Sequence, residues 1–231
     1  MGVFIAMNAK WKIILLVMLI IISICAVFIS LFVLESKENL QALVDRETAG
    51  IRTVVQTIEE QCNQNYRNRI RSFVSVRNDY IVKAFAERNR EKLYQDVKPI
   101  FELLKKENKY FLTLGWITDD NTAFLRLHRP KRFGDNVEKL RPDVVAANRT
   151  GAQQSGYLIA KYGLQYRIVQ PISYQGRFIG TVQFGLDNSM LLDAIYDKLK
   201  LPVGMAVAND KFRFVVDKSE YTLANNQFTF L

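Results

Sequence analysis

Histidine occurs once in the 231 residues, cysteine twice and proline five times. A single imidazole, His128, cannot build a histidine metal cluster or a relay of several histidines, and no Cys-x-x-Cys-His run is present to attach a haem. A Ser/His/Asp set, a phosphate-cradling glycine loop and a zinc-binding helix signature are missing too, so no catalytic constellation stands out. Asp119 and Asp120 lack the spaced ligands and glycine of a calcium loop and read as turn formers. Neither a metal nor a cofactor is expected. The chain also has no internal repeat and no low-complexity stretch.

Charge is missing from residues 13–34, a run of 22 from Ile13 to Leu34. About 20 apolar residues cross the roughly 30 Å hydrocarbon layer as a helix, because backbone groups cannot stay unpaired in lipid. A cleaved signal peptide has a shorter apolar stretch, about 7 to 15 residues, and a small-x-small cleavage site, whereas this run ends in Phe32, Val33, Leu34 and Glu35. Residues 13–34 therefore read as an uncleaved transmembrane anchor. Lys10 and Lys12 precede it and Glu35 and Glu38 follow, which predicts a short cytoplasmic N-terminus, residues 1–12, and an extracytoplasmic remainder. Cys25 lies in the span and Cys62 outside it, so they form no internal disulfide; Cys62 reads as a packing residue or a cross-link on a dimer seam.

The net charge of +9 would suit nucleic acid, but an extracytoplasmic location removes that partner, and the basic residues are scattered instead of forming one stripe. Small anions and acidic lipid headgroups remain as counterparts.

Between residues 36 and 85 the only helix breaker is Gly50, which predicts one long extracytoplasmic helix. Leu40, Val44, Ile51, Val55, Ile58, Cys62, Tyr66, Ile70, Phe73 and Tyr80 recur at helical spacing and mark a buried face. About 45 such residues make a rod of roughly 65–70 Å, longer than one globular domain needs, so the lower part is expected to pair with a second copy as a homodimer. The competing reading is an amphipathic core helix with no partner chain. A second helix is expected at 88–107, with Pro99 a potential break. Strands follow at 110–117 and 122–128 around Asp119-Asp120-Asn121, a short helix at about 136–149, and strands at about 155–161, 164–173 and 177–186 joined at Tyr162-Gly163 and Gln175-Gly176. Short turns imply antiparallel neighbours. A helix at 188–199 and a strand-like stretch at 203–209 complete an α+β class.

This order, with Phe124-Leu125-Arg126-Leu127-His128-Arg129-Pro130, Phe133-Gly134-Asp135, Arg141-Pro142, Gly156-Tyr157, Tyr166-Arg167, Pro171-Ile172 and Ile179-Gly180-Thr181-Val182-Gln183-Phe184-Gly185, resembles Cache domains, the PAS-like extracytoplasmic sensors of bacterial chemoreceptors, histidine kinases and diguanylate cyclases. The resemblance implies a Cache-like module at 86–200 with a five- to six-stranded antiparallel sheet, in an inner-membrane receptor that binds a small ligand. Such receptors carry a second span and an output domain, neither of which is present, so the chain is expected to be a fragment. Residues 201–231 read as the start of further extracytoplasmic structure, which favours the membrane-distal half of a double Cache.

Alternation along 122–128 predicts Phe124, Arg126 and His128 on one face and Leu125 and Leu127 against the long helix. Arginine offers a planar fork for carboxylate, and Arg126, His128, Arg141 and Arg167 are expected to converge on a small anion, with Tyr157, Tyr166 and Gln183 orienting it. In the alternative reading the arginines face water or pair with Asp135 and Asp143. His128 reads either as a switch titrating near neutrality or as a satisfied structural histidine. Two rival functions stand beside the sensor: a periplasmic module that senses a partner protein with no small-molecule pocket, and a membrane-tethered enzyme.

Overall fold

A computed structural model describes residues 9–75, 79–160, 163–209, 222–223 and 228–230. The chain divides into two compact units, one ending at Val55 and the other beginning at Gln56. Residues 1–8, 76–78, 161–162 and most of 210–231 lie outside the described residues, and with them the Tyr162 half of the expected Tyr162-Gly163 turn.

Helix α1 spans Ala9–Phe73. In the first unit it is long and apolar enough to cross a membrane, and none of its most apolar stretch is buried. Ile13 to Leu34 lie outermost on a bare helix, an arrangement that lipid satisfies and water does not. Farther along, Leu40, Leu43, Val44 and Ile51 are also exposed.

The second unit begins with the last turns of α1, where Ile70 and Phe73 are buried and Cys62 and Tyr66 partly so. The helix expected over 36–85 ends at Phe73, and a separate helix, α2 (Asp79–Ala86), follows. Tertiary packing explains the break. Phe73 turns into the core against Trp116 and Phe184, at 5.8 Å from each ring, while the Ser75 amide donates to the Ser72 carbonyl. Helix α3 (Arg90–Glu107) starts at an Asn89 cap whose side chain accepts from the Lys92 amide, and it carries Pro99 without breaking.

The sheet has five antiparallel strands in the order β2-β1-β5-β4-β3. They are β1 (Phe111–Thr118), β2 (Ala123–Arg126), β3 (Gln154–Ala160), β4 (Gly163–Tyr174) and β5 (Arg177–Asp187). Gln175 and Gly176 both take positive φ, 50° and 77°, as a two-residue hairpin turn requires. Helix α4 (Pro142–Thr150) is shorter than the 136–149 expected. Pro142 is its first residue, and a proline keeps the residue before it out of helical conformation. After α5 (Ser189–Leu199) come β6 (Ala206–Ala208), β7 (Thr222–Leu223) and β8 (Phe228–Phe230), a separate three-stranded sheet in the order β6-β8-β7.

The two faces of the five-stranded sheet do different things. One face packs Leu114, Trp116, Leu125, Ile168, Val182 and Phe184 against α1, α2 and α3. Fully burying one such side chain contributes about 1.5–3 kcal/mol, so this layer carries most of the stability. The opposite face carries a smaller cluster, Ile117, Ala123 and Val169, covered by Val144 and Ala147 of α4 and by Val137. Beside that cluster the same face is polar.

Candidate functional site

Strand register decides which side chains share the polar face. On β5 alternate residues Thr181, Gln183 and Gly185 point away from the helices, and their cross-strand partners on β1 are Ile117, Gly115 and Thr113. On β4 the partners are Pro171, Val169 and Arg167. Arg167 thus lies beside Gly185 and Thr113, and its Nη1 donates to the Thr113 hydroxyl at 3.0 Å. Glycine is needed here: a Cβ on Gly185 would stand 2.1 Å from Thr113 Oγ1 and 2.9 Å from Arg167 Nη1. The guanidinium therefore lies on bare backbone.

Arg141 and Arg126 are near enough to act on Arg167 electrostatically. Their partners differ. Arg126 makes a forked pair with Asp135, at 2.5 and 2.9 Å, and donates to the Arg132 carbonyl. That pairing holds the Asp135 carboxyl below the usual carboxylate range. Arg141, buried at the start of α4, grips Asp143 with Nε and Nη2 at 2.9 and 2.7 Å. The alternative reading of the sequence, arginines paired with Asp135 and Asp143, therefore describes these two.

Arg167 has no such partner. Among the described residues no carboxylate lies within ion-pair distance of it, and its Nε is sealed from solvent with no acceptor. Dehydration, reinforced by Arg141 and Arg126 and opposed by Asp143, pulls its pKa down to about 9. It is still a cation at neutral pH, held where a cation is costly without an anion.

Around it sit further polar atoms without partners. Gln183 is 3% exposed and Thr181 fully buried, and Gln183 Oε1, Thr181 Oγ1 and His128 Nδ1 have no hydrogen-bond partner in the protein. Burial first, then Arg167, Arg129 and Arg126, push the His128 pKa down to about 4, against a hydrogen bond to the Leu114 backbone. The imidazole is neutral at physiological pH, which removes the expected option of a switch near neutrality. Thr113 and Thr181 were not singled out in the sequence; parity with Gln183 and Gly185 would have placed Thr181, whereas Thr113 joins them only through the pairing of β1 with β5.

Tyr157 and Tyr166 do not join the cluster, contrary to expectation. They stack edge to face at 5.1 Å on the helix side of the sheet, near Cys62 and Glu59 of α1. Burial there raises both hydroxyl pKa values. Strand alternation is the reason: Tyr166 and Arg167 are adjacent and must face opposite ways. Phe124 also departs from expectation. A bulge, with Ala123 opposite Ile117 and Leu125 opposite Trp116, leaves Phe124 unpaired, and it packs on Phe85 at 5.4 Å with the helices.

The loop that carries Asp135 is fastened to α3. Arg90 lies 3.7 Å above the Phe133 ring and donates to the carbonyls of Phe124 and Pro130. A cleft of about 460 Å³ opens on the helix side between α1 and α5, lined by Cys62, Tyr66, Arg69, Tyr110 and Asp193 among others.

A helical layer and a five-stranded antiparallel sheet in this order, with a polar face under α4, precede a separate three-stranded sheet. Residues 41–225 match the family described as a double sensory domain of two-component sensor kinases. The chain belongs to this double Cache family. Among solved structures it is similar to the sensor domain of the V. cholerae histidine kinase DctB, with TM-score 0.53 and 13% identity, covering 73% of this chain and 63% of that one. It is also similar to the sensory domain of the Campylobacter jejuni chemoreceptor Tlp3 solved with isoleucine bound, with TM-score 0.46 and 13% identity, covering 78% and 83%. A third is a domain of a sensory box/GGDEF family protein from Vibrio parahaemolyticus, with TM-score 0.43 and 15% identity, covering 62% of each chain. At 13% identity the likeness to the kinase sensor domain shows the fold alone. The chain spans under two thirds of the kinase sensor domain it matches. No curated protein matches the sequence. Strands β6, β7 and β8 lie in the residues that follow the five-stranded sheet.

Proposed function

We propose that this double Cache chain is the extracytoplasmic sensing region of a membrane receptor, that it binds a small anion on the α4 side of its first sheet, and that Arg167 is the anion's principal contact. The observation that carries this reading is a sealed guanidinium with no acidic partner, set among orphaned polar atoms. A carboxylate accepting from Arg167 would complete both the charge and the hydrogen bonds. Arg126 and Arg141 are held by their own aspartates and shape the site from its edges. Polar atoms left buried and unpaired also count against the rival in which a partner protein is sensed by a chain with a satisfied interior. The bound anion favours one arrangement of α4 and the Asp135 loop, and it shifts the population only through its differential affinity for the two states.

Orientation is supported by Lys10 and Lys12 before the span and acidic residues after it. Pairing of two copies along α1 is supported by the exposed Leu40, Leu43, Val44 and Ile51, which leave an apolar stripe facing water in a single copy. Calorimetry of a small-carboxylate panel against the wild-type chain and Arg167→Ala tests the site. Binding that survives the substitution unchanged rejects it. Cross-linking through engineered cysteines along residues 40–66 tests the pairing, and a pattern indifferent to ligand argues against signalling along α1.

A further inference from the structure

Apolar residues return along α1 at a fixed distance. Leu40, Leu43 and Val44 form a group spaced i, i+3, i+4, and Ile51, Val54 and Val55 repeat it eleven residues on. Cys62 and Tyr66 continue the series, with Asn65 in the middle place, and Phe73 follows Cys62 by eleven again. Eleven residues fill three helical turns at about 3.67 residues per turn, close to the 3.6 of a straight helix, so the groups stack into one row on the helix surface. A seven-residue phase through Leu40, Val44, Ile51, Val54 and Ile58 would leave Leu43 and Val55 on the flanks.

The row is covered in the second unit and bare in the first. In the second unit Phe73 is buried in the core, and Cys62 and Tyr66 pack against it. In the first unit Leu40, Leu43, Val44 and Ile51 are 41–62% exposed. Beside Ile51 stands Gly50, a poor helix former, where a Cβ would meet nothing within 4 Å. The missing side chain serves no packing in a single copy, whereas a second helix laid close alongside gives it a use. Helix α1 also runs unbroken from the apolar residues 13–34 into the row, so two copies anchored in one membrane carry it parallel and at the same height. Each residue then meets its own counterpart, which is what a self-complementary two-fold contact requires.

Building on the reading that two copies pair along α1, we propose that residues 40–55 of the two copies form a parallel coil in the eleven-residue phase, wound right-handed, with Leu40, Leu43, Val44, Ile51, Val54 and Val55 as its seam. Glu47 lies in the same row, eleven residues before Ile58, and is the one charged residue of the row between Leu40 and Val55. The pair sets its carboxylate against that of its copy, so Glu47 fixes the register at a cost in affinity.

The test is disulfide cross-linking of the full 231-residue chain in liposomes, with Cys25→Ala and Cys62→Ala as background and one cysteine introduced at a time. Leu43→Cys and Val55→Cys are expected to cross-link within about twofold of Val44→Cys and Val54→Cys, because the eleven-residue phase places all four equally far from the centre of the seam. Ala42→Cys and Asp45→Cys, on the opposite side of the helix, should cross-link at least about tenfold more slowly. Rates at 43 and 55 that fall about fivefold or more below those at 44 and 54 indicate a left-handed, seven-residue pair; they overturn the proposed phase and leave the pairing of copies standing. If no position cross-links two copies, the row meets some other partner, and the pairing falls together with the phase. Sedimentation equilibrium in detergent supplies a second readout. Glu47→Ile should tighten association by about tenfold or more, and an unchanged association would put Glu47 outside the seam and overturn the proposal.

Discussion

Replacing Arg167 by methionine should separate stability from recognition. The guanidinium is sealed at Nε, dehydrated and unmatched by a carboxylate, so in the empty site it works against folding. Exchanging buried ionic groups for apolar side chains of similar volume stabilises by about 1–4 kcal/mol in favourable cases. The Thr113 hydroxyl loses its donor in the exchange, which offsets about 1 kcal/mol. The net gain is about 0–3 kcal/mol, and for a chain of this size each kcal/mol moves the midpoint by about 2–4 °C, so the empty variant should melt level with the empty wild type or up to roughly 12 °C above it. Saturating carboxylate reverses the order. At about 100 times the dissociation constant it stabilises the wild type by about 2.7 kcal/mol and leaves the variant unmoved. Thermal unfolding of the detergent-solubilised chain, with and without ligand, reads both effects in one experiment. Arg141→Met is the control of opposite sign, because it strands the largely buried Asp143 carboxylate and should destabilise by roughly 1–3 kcal/mol. An Arg167→Met chain that melts below the wild type, or that keeps its ligand shift, would refute the argument.

Gly185→Ala should lower both midpoint and ligand affinity, because its Cβ collides with Thr113 Oγ1 and crowds Arg167; an unchanged affinity would mean that the guanidinium does not need its place on bare backbone. Tyr157→Phe and Tyr166→Phe should leave ligand affinity within about twofold, since both rings pack on the helix side; a tenfold loss would overturn the face assignment. His128 is a base whose pKa falls on folding to about 4 from an ordinary 6.5. Between those values the unfolded chain holds the extra proton, so stability should decline as pH falls through this window, by no more than roughly 1.4 kcal/mol per pH unit, and should be insensitive to this group above 6.5. Midpoints at pH 4.5 and 7.5 for wild type and His128→Gln check the sign, and an equal decline in both chains would assign the effect elsewhere.

Local rules read from the sequence located most of the elements. The 22-residue uncharged run, the alternation on either side of Gln175-Gly176 and the turn at Asp119-Asp120-Asn121 are short-range features; the strands lie where these put them, and the uncharged run lies within helix α1. Strand order is long-range and was not readable, and neither was the break after Phe73, where aromatic packing accompanies the end of a helix with no glycine or proline near that end. At the site, residue types were legible and pairing was not. Arg126 and Arg141 find aspartates nine and two residues away, whereas the isolation of Arg167 depends on β4 meeting β5 in one register. The tyrosines are a different case. The period-2 rule applied to Arg126 also separates Tyr166 from Arg167, so their exclusion was legible from parity alone.

The unpaired residue in β2 sets how this strand can change. Ala123 and Arg126 share the α4 side although three positions separate them, and they do so because Phe124 and Leu125 both turn toward the helices. Trimming the Phe124 ring to alanine would leave a hole under Phe85, a local injury. Deleting the residue would restore strict alternation and set one end of the strand against the other: with Ala123 facing α4, the Arg126 guanidinium would be driven into oil, and with Arg126 kept in place, Ala123 would turn inward. Single-residue deletions within this short segment should therefore be far more damaging than any substitution there.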